Sequence, residues 1–343
     1  MAEPGVRTTH VPVSADTLRS PRPQDHLRPF RPVPASASAT STSTTYSTTE
    51  PLTTVYTTQP NGTTRTSTID EADDDDDLPD LPTLVARIYA RVQAFLSETH
   101  PPESLLASVQ RQTQISLEVV WSALSQYKLS ELSVSYNGGK DCLVLLILFL
   151  AGLHPYPRHT PNELDAGTAA AAQAVAATVI PAIYALPPDP FPAVEDFVVT
   201  SAQAYHLSIT KYTTAPPQTT LRSSFEDYLN RHPGIRAIFV GTRRTDPHGA
   251  RLTHFDRTDR GWPDFVRIHP VIDWHYAEIW AFIRHLGLRY CSLYDEGYTS
   301  LGGTSDTHPN PRLQVGADGP SPDRQYLPAY ALTEDVEERL GRN

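Results

Sequence analysis

The segment Ser133-Val-Ser-Tyr-Asn-Gly-Gly-Lys-Asp-Cys142 joins two apolar runs. Residues 132–135 have the length of a short buried strand, and residues 141–153 predict a helix that is apolar on nearly all sides. Glycines at such a turn let backbone N–H groups approach an anion, and the helix dipole and Lys140 attract negative charge. The spacing of a Walker A loop is missing. The segment therefore predicts a phosphate site where a strand passes into a helix, and an ordinary glycine turn is the alternative.

Strands and helices alternate on the carboxyl side of this segment. Further strands are predicted over 180–186, 207–212 and 237–240, and helices over 193–205 and 223–231. The Ala-rich stretch 166–177 is a helix or an insertion. This order predicts an α/β fold, doubly wound, with a mostly parallel sheet and helices on both faces. Ligands of such folds bind beyond the carboxyl ends of the strands.

Two amphipathic helices are predicted outside this alternation. Apolar residues recur at helical spacing over 102–127 and again over 273–286. We expect Asp273 to cap the second helix and Gly287 to end it. Trp274 and Trp280 are expected to pack in the core.

The chain ends differ in composition from its centre. Residues 1–82 are rich in Ser, Thr and Pro and close with an acidic block that includes five consecutive aspartates. Such a segment buries too little apolar surface to offset its ordering entropy, so we expect a disordered tail without chemistry. Residues 83–343 are expected to form one catalytic domain, with a C-terminal arm over about 325–343.

Composition narrows the function classes. The formal net charge of −11 comes in part from the acidic block, and no basic field indicates nucleic acid. Only Cys142 and Cys291 are present, without a CxxC pair, which argues against zinc and a disulfide framework. The longest apolar run, 143–153, is about half the ~20 residues of a membrane span. We expect a cytoplasmic monomer that binds neither nucleic acid nor membrane. A mitochondrial pool is the alternative, because residues 1–32 hold several arginines.

A second motif, Phe239-Val-Gly-Thr-Arg-Arg-Thr-Asp-Pro-His-Gly249, follows the predicted strand 237–240. Arg243 or Arg244 is suited to hold a phosphate through two hydrogen bonds, and Asp246 to hold Mg²⁺ on a triphosphate. A surface turn formed by Asp-Pro is the alternative.

A third motif, Arg257-Thr-Asp-Arg-Gly-Trp-Pro-Asp-Phe265, combines an indole with an acid three residues before it. Trp262 offers a flat face to an aromatic ring and Asp259 an acceptor for an imide N–H, which suits an isoalloxazine. A tryptophan that packs in the core is the alternative.

The last motif is the chain end Glu338-Arg-Leu-Gly-Arg342, which follows the Gly/Pro-rich connector 298–311. Arg339 and Arg342 face the same way on a helical turn. They are either a solvated charge pair or part of a mobile arm that reaches the phosphates.

Together these motifs resemble those of the eukaryotic, fungal-type FAD synthases, which are FMN adenylyltransferases. This family belongs to the phosphoadenylyl-sulfate reductase-like ATP pyrophosphatases, whose loop usually reads SGGxDS; here Asn137 and Cys142 replace the serines. The resemblance covers residues 84–343. It implies an adenine nucleotide alpha hydrolase-like fold with a C-terminal flavin-binding extension of helices and loops. It also implies Mg²⁺-dependent transfer of AMP from ATP to FMN by direct in-line attack, without a general base.

The resemblance also implies roles for individual residues. The residues implied to be catalytic are Asn137, Asp141, Asp246, Arg339 and Arg342. Those implied to bind ATP and its phosphates are Ser135, Tyr136, Asn137, Gly138, Gly139, Lys140, Arg243 and Arg244. The flavin is implied to contact Arg257, Asp259 and Trp262, and Mg²⁺ is implied to bind Asp141 and Asp246. A phosphoadenylyl-sulfate reductase-like oxidoreductase is one alternative, but its nucleophilic C-terminal cysteine is missing, since no Cys follows Cys291. A non-catalytic nucleotide-binding relative is the other, and the intact Lys140, Asp141 and Asp246 argue against it.

Overall fold

The computed structural model describes residues 78–154, 179–213, 220–315 and 325–342. The tail up to residue 77 and the Ala-rich stretch 166–177 lie outside the described residues. The helices are α1 (Leu81–Ser97), α2 (Leu105–Gln126), α3 (Lys140–Leu153), α4 (Pro192–Ala204), α5 (Leu221–Arg231) and α6 (Tyr276–His285). The strands are β1 (Leu132–Ser135), β2 (Ile180–Leu186), β3 (Leu207–Thr213), β4 (Ala237–Phe239), β5 (Phe255–Arg257), β6 (Val266–Ile268), β7 (Gln314–Val315) and β8 (Gln325–Tyr326).

The main sheet has six strands in the order β3-β2-β1-β4-β6-β5. All neighbouring pairs are parallel except β5 with β6. Chain order reverses at β1, because β2 lies on one side of it and β4 on the other. In open α/β sheets this switch point is where ligands bind, and the loop after β1 is the predicted phosphate loop. The predicted doubly wound, mostly parallel sheet is confirmed.

Both faces of the sheet are covered. Helix α3 is almost entirely buried and packs with α1, α2 and α6. On the opposite face, α5 contributes Phe225 and Tyr228 to a second apolar cluster with Ile183, Ile238 and Phe265. Ala182 and Tyr184, the neighbours of Ile183 in β2, belong to the first cluster, as side-chain alternation in a strand requires.

The structure differs from the sequence predictions at four elements, α1, β5, β6 and α6. Helix α1 begins at Leu81, two residues before the expected domain boundary, with Asp80 as its N-cap. The three-residue strands β5 and β6 were not predicted. Helix α6 begins at Tyr276 with His275 as its N-cap, so the prediction that Asp273 caps this helix is wrong. Gly287 does follow the helix in the left-handed region, with φ 57°.

The chain after α6 has little regular structure. It contains short 3-10 helices, the β7–β8 hairpin and a tail, residues 329–342, that returns to the carboxyl end of the sheet. The tail is held there by contacts to α3 and to residues 299–310. Within the described parts of the chain, no helix is both long and apolar enough to cross a membrane.

Candidate active site

The loop between β1 and α3 forms a tight glycine turn at the amino end of α3. Gly138 has φ 72°, and a Cβ there would lie 2.8 Å from a methyl carbon of Val198, so only glycine fits. The Asn137 side-chain oxygen accepts a hydrogen bond from the Gly139 N–H at 2.9 Å. The Lys140 N–H, at the start of α3, donates to the Tyr294 hydroxyl at 2.9 Å.

A cavity of about 540 Å³ opens above this loop. It lies beyond the carboxyl ends of the parallel strands, as expected for this fold. Predicted site residues in its wall are Ser135, Asn137, Gly139, Lys140, Asp141, Asp246 and Arg339. Unpredicted wall residues include Tyr184–Pro187, Leu221, Thr242, Tyr294, Ser300–Gly302 and Glu338.

The floor of the cavity is a buried charge network centred on Glu338. Lys140 is only 2% exposed, and its Nζ lies 2.5 Å from Glu338 Oε1 and 3.0 Å from Asp141 Oδ2. Arg243 is fully buried and contacts the other Glu338 oxygen through Nη2. The Arg243 Nε lies 2.7 Å from Asp141 Oδ1, an ion pair without hydrogen-bond alignment.

Charge in this network does not balance. Lys140 and Arg243 face four carboxylates, those of Asp141, Asp246, Asp335 and Glu338. With His275, which pairs with Asp335, counted as neutral, two positive against four negative charges leave a formal excess of −2. Arg339 also lies in the cavity wall, but it is exposed and not part of the buried network.

The pKa values of the two predicted Mg²⁺ ligands, Asp141 and Asp246, are shifted in opposite directions. Burial raises the pKa of Asp141, but Arg243 and Lys140 more than offset this and hold it below its ordinary value. Burial raises the pKa of Asp246, and the nearby Asp141 carboxylate adds to the rise. Asp246 also accepts a hydrogen bond from the Arg243 N–H at 2.8 Å. Two carboxylates in the wall of a cavity whose network carries excess negative charge fit a hard divalent cation such as Mg²⁺.

Two predicted phosphate-binding side chains point away from the cavity. The Tyr136 ring is fully buried, and its hydroxyl donates to Ser201 on α4 at 2.9 Å. Arg244 pairs with Asp273 at 2.6 Å and donates to the carbonyls of Ala250 and Leu252. Arg244 therefore fixes the 250–252 turn, whereas Arg243 enters the charge network.

The residues predicted to bind flavin lie on an exposed loop. This flavin loop, residues 257–265, connects β5 and β6 and contacts α5. Trp262 is 38% exposed and its ring meets that of Phe225 edge-on at 6.4 Å. Asp259 contacts Arg267 at 3.4 Å. Arg257 pairs with Asp264 at 3.1 Å, and both side chains are largely in solvent.

The two C-terminal arginines occupy different positions. Arg339 lines the cavity, whereas Arg342 pairs with Asp306 at 3.0 Å and lies against Gly302, where a Cβ would clash with its guanidinium. The tail backbone is fixed at the Glu338 and Gly341 carbonyls, which accept from Thr299 and His308. The tail is thus docked by Glu338, whereas the neighbouring Leu340 is 49% exposed.

Comparison with known proteins identifies the family. Residues 131–309 match the phosphoadenosine phosphosulfate reductase domain. The probable FAD synthase of Schizosaccharomyces pombe is 39% identical over 258 residues, which cover 75% of this chain and 88% of that protein. The chain belongs to the FAD synthase family. The reductase-like alternative is not favoured.

Solved structures of this family share the fold. FMN adenylyltransferase of Candida glabrata, in complex with FAD and inorganic pyrophosphate, superimposes with a TM-score of 0.69 at 27% identity, covering 77% of this chain and 97% of that one. The same enzyme with FMN and the ATP analogue AMPCPP gives a TM-score of 0.67 at 27% identity, covering 76% and 97%.

The sequence motifs do not predict the role of Glu338 in this member of the FAD synthase family. In the sequence Glu338 is only the first residue of the tail motif, yet in the structure it connects both buried cations. Its partners are 198 and 95 residues away in the chain. The signal that was present is the motif itself, an acid directly beside an arginine at the chain end.

Proposed function

We propose that the cavity above Asn137–Asp141 is where this FAD synthase transfers AMP from ATP to FMN. ATP and FMN are the substrates, and FAD and pyrophosphate are the products. The observation that carries this assignment is the buried network of Lys140, Arg243, Asp141 and Glu338 at the switch point of the sheet. Such a network holds charged groups in place before substrate arrives, which is the main protein contribution to transfer at phosphorus.

The triphosphate of ATP is proposed to lie over the phosphate loop. Gly138 and Gly139 give its oxygens close access to backbone, and the amino end of α3 contributes its dipole. Lys140 lies directly beneath. Because Glu338 already contacts Lys140 and Arg243, an incoming phosphate either shares these cations with the carboxylate or displaces it.

Magnesium is the proposed counter-charge. The formal excess of −2 in the network repels a polyphosphate, so a divalent cation is needed to bring the two together. Asp141 and Asp246 are the proposed ligands, and the ion when bound would lower the charge on the phosphates. Asn137 stays a proposed catalytic residue; its amide oxygen is fixed by the Gly139 N–H.

FMN is proposed to place its ring at the flavin loop and its phosphate in the cavity. The ring would contact Trp262, with Asp259 as acceptor and Arg257 at the edge. Leu221, in the cavity wall, begins the helix whose Phe225 supports Trp262. This continuity from cavity to flavin loop supports the placement.

The reaction needs no covalent enzyme intermediate. An FMN phosphate oxygen forms a bond to the α-phosphorus of ATP while the bond from that phosphorus to the pyrophosphate oxygen breaks. The nucleophile is already ionised, so no general base takes a proton. The role of the protein is to align the two phosphates and to stabilise the negative charge that moves to pyrophosphate. Arg339, in the cavity wall, is the proposed tail residue nearest this charge.

Other properties remain proposals from composition. A cytoplasmic monomer that binds neither nucleic acid nor membrane fits the charge and the two free cysteines. A mitochondrial pool is the alternative.

The direct test is product formation. The purified full chain is incubated with FMN, ATP and Mg²⁺, and FAD and pyrophosphate are quantified by chromatography and a coupled assay. We expect equal amounts of both products, with none when FMN is replaced by riboflavin, which lacks the attacking phosphate. A matched Asp246→Asn preparation controls for contaminating enzyme. Folded protein that yields no FAD would support the non-catalytic alternative.

A further inference from the structure

Three metal-ligating side chains meet at a place remote from the cavity. Glu98 Oε2 lies 2.8 Å from the Nε2 atom of His100 and 2.8 Å from that of His285. One ligand atom from each of the three residues lies within 4.8 Å of the other two. We call this group the Glu98–His100–His285 cluster.

The fold holds the three ligands in place. Glu98 is the C-cap of α1 and His285 is the last residue of α6. The Gln110 amide, on α2, donates to the carbonyls of Phe95 and Glu98 at 2.7 and 2.9 Å. The cluster therefore joins the C-terminal ends of α1 and α6 to His100 in the loop between α1 and α2, and the Gln110 hydrogen bonds hold the start of that loop, which limits the reorganisation needed to bind an ion.

Aromatic packing fixes the imidazoles from one side. The buried Phe95 ring lies 4.9 Å from the His285 ring and 6.4 Å from the His100 ring. The other side is open, because the His100, His285 and Glu98 side chains are 18%, 28% and 39% exposed. An ion can thus enter from solvent and keep a water ligand.

The donor set selects the class of ion. Two imidazole nitrogens and one carboxylate oxygen, with a fourth position open, are typical of Zn²⁺ and related transition metals, whereas Mg²⁺ prefers oxygen ligands alone. Bonds of about 2.0–2.1 Å to a tetrahedral ion place neighbouring ligands about 3.3 Å apart. The two Glu98–imidazole distances of 2.8 Å have to lengthen by about half an ångström to reach this spacing, and the two imidazole ligand atoms, which lie within 4.8 Å of each other, have to adjust to it as well.

We propose that the Glu98–His100–His285 cluster binds one divalent transition-metal ion of the zinc class. The ion clamps the C-terminal end of α1 to that of α6. The active-site cavity is not involved, since the opposite end of α6, about 15 Å away by its ten residues, is where the tail residue Asp335 accepts from the Tyr276 N–H. The clamp thus acts on stability.

The experiment uses the full chain stripped of metal with a chelator. It is titrated with Co²⁺, whose visible d–d absorption reports low-symmetry nitrogen and oxygen coordination, and Zn²⁺ is then added in competition. We expect one equivalent of Co²⁺ with a d–d band that Zn²⁺ removes, and a higher Tm with Zn²⁺ than with Mg²⁺. The His100→Gln/His285→Gln double variant should lose this equivalent and the Tm rise. The chain has 13 histidines in all, so the double variant also measures background binding.

Two further variants test the carboxylate ligand and provide a control for an unrelated histidine. Glu98→Gln keeps a hydrogen-bond acceptor but removes the ligand charge, and should weaken binding by more than the about 10–100-fold cost of losing an outer-shell partner. His248→Asn removes an exposed imidazole elsewhere, at a φ of 67° that asparagine tolerates, and should bind like the parent. The same Co²⁺ stoichiometry, spectrum and Tm rise in the parent and in a folded double variant would overturn the proposal. So would a parent chain with no d–d band.

Discussion

The phosphate region and the flavin loop, two halves of one proposed site, are constructed in different ways. In the phosphate region, here Asn137–Asp141 with Arg243, Asp246 and Glu338, the cations are buried and paired with carboxylates. In the flavin loop the ion pair of Arg257 with Asp264 is in solvent, and Trp262 rests on one aromatic neighbour.

The two regions differ in the free energy that is lost when an ion pair is broken. Removing one partner of a buried ion pair leaves a desolvated charge and costs about 3–5 kcal/mol, whereas an exposed pair is worth about 0–1 kcal/mol. The phosphate region is therefore rigid before substrate binds, and the flavin loop can adjust to the ring. We expect substitutions in the first to change turnover and stability, and those in the second to change FMN affinity.

The largest expected effect is that of Asp246→Asn on turnover. The amide oxygen can still accept from the Arg243 N–H, so the fold survives, but the charge that would bind Mg²⁺ is lost. We expect kcat to fall by about 10³ or more, beyond the 10²–10³ typical for one transition-state contact. Asp227→Asn, at a half-buried carboxylate on α5 that does not line the cavity, is the matched control. A near parental rate at saturating Mg²⁺ would make Asp246 a turn residue only.

Next in size is the effect of Glu338→Gln on stability. The neutral amide breaks the direct ion pairs of Glu338 with the buried Lys140 and Arg243, so we expect the free energy of unfolding to fall by about 3 kcal/mol, the lower end of the range for a broken buried pair. Chemical denaturation measures it. If phosphate takes the place of the carboxylate, ATP should raise the Tm of this variant more than that of the parent. An unchanged unfolding free energy would show that Glu338 is solvated and not a network member.

Substitutions of the two tail arginines should change kcat by different amounts. Arg339 lines the cavity and Arg342 is paired with Asp306, so Arg339→Ala should lower kcat by about 10², the size of a lost charge-stabilising contact, with little change in FMN affinity. Arg342→Ala should act indirectly, through the position of the tail. Point substitutions serve better than deleting residues 338–343, because the deletion also removes Glu338. Whether the tail moves during turnover stays a prediction; equal parental rates in both variants would remove the arginines from catalysis.

In the flavin loop we expect Trp262→Ala to weaken FMN by about 1–3 kcal/mol, the range for a buried aromatic contact, with ATP affinity unchanged. Trp262→Phe, which keeps an aromatic face, should retain most of the affinity. Tryptophan fluorescence is a suitable readout, because the other three tryptophans, Trp121, Trp274 and Trp280, lie outside the flavin loop and their signal is measured in the Trp262→Phe variant. Equal weakening of both substrates would instead place Trp262 in the supporting core.

The smallest expected effect is on the pH dependence of the free energy of unfolding. The hydrogen bond that the His275 imidazole donates to the Asp335 carboxylate raises the pKa of His275. The folded-state pKa lies above the unfolded value of about 6.5, so this contact stabilises fully below that pH and is lost as pH rises through the folded pKa. The imidazole is 64% exposed, so the contribution is about 0.2–1 kcal/mol. The stability difference between the parent and His275→Gln should therefore shrink as pH is raised, and a constant difference would contradict the assignment.

The elements that could be predicted from the sequence are those that a local residue pattern determines. A buried strand, a glycine turn and an apolar helix are encoded within residues 132–153, and the structure agrees there to within one residue. Helix α1 was missed although its signals, Asp80 as cap and a proline in the first turn, were present. Strands β5 and β6 have three residues each, too few for an alternation pattern to be recognised.

The site was less predictable where it depends on contacts distant in sequence. The choice between Arg243 and Arg244 could not be made from the motif, because it depends on which side chain meets Asp141 and Glu338 and which meets Asp273. Tyr136 belongs to the same motif as Lys140, yet side-chain alternation turns its ring into the core. The burial of Glu338 depends on how the tail folds back, which no local pattern reveals.

The most direct test of the separate roles of the phosphate region and the flavin loop is an FMN titration of the Asp246→Asn protein, with tryptophan fluorescence as the readout. We expect FMN to quench the fluorescence with the same half-saturation concentration as in the parent, although the variant forms almost no FAD when ATP and Mg²⁺ are added. Loss of FMN binding in this folded variant would contradict it, because the phosphate region and the flavin loop would then act as one unit.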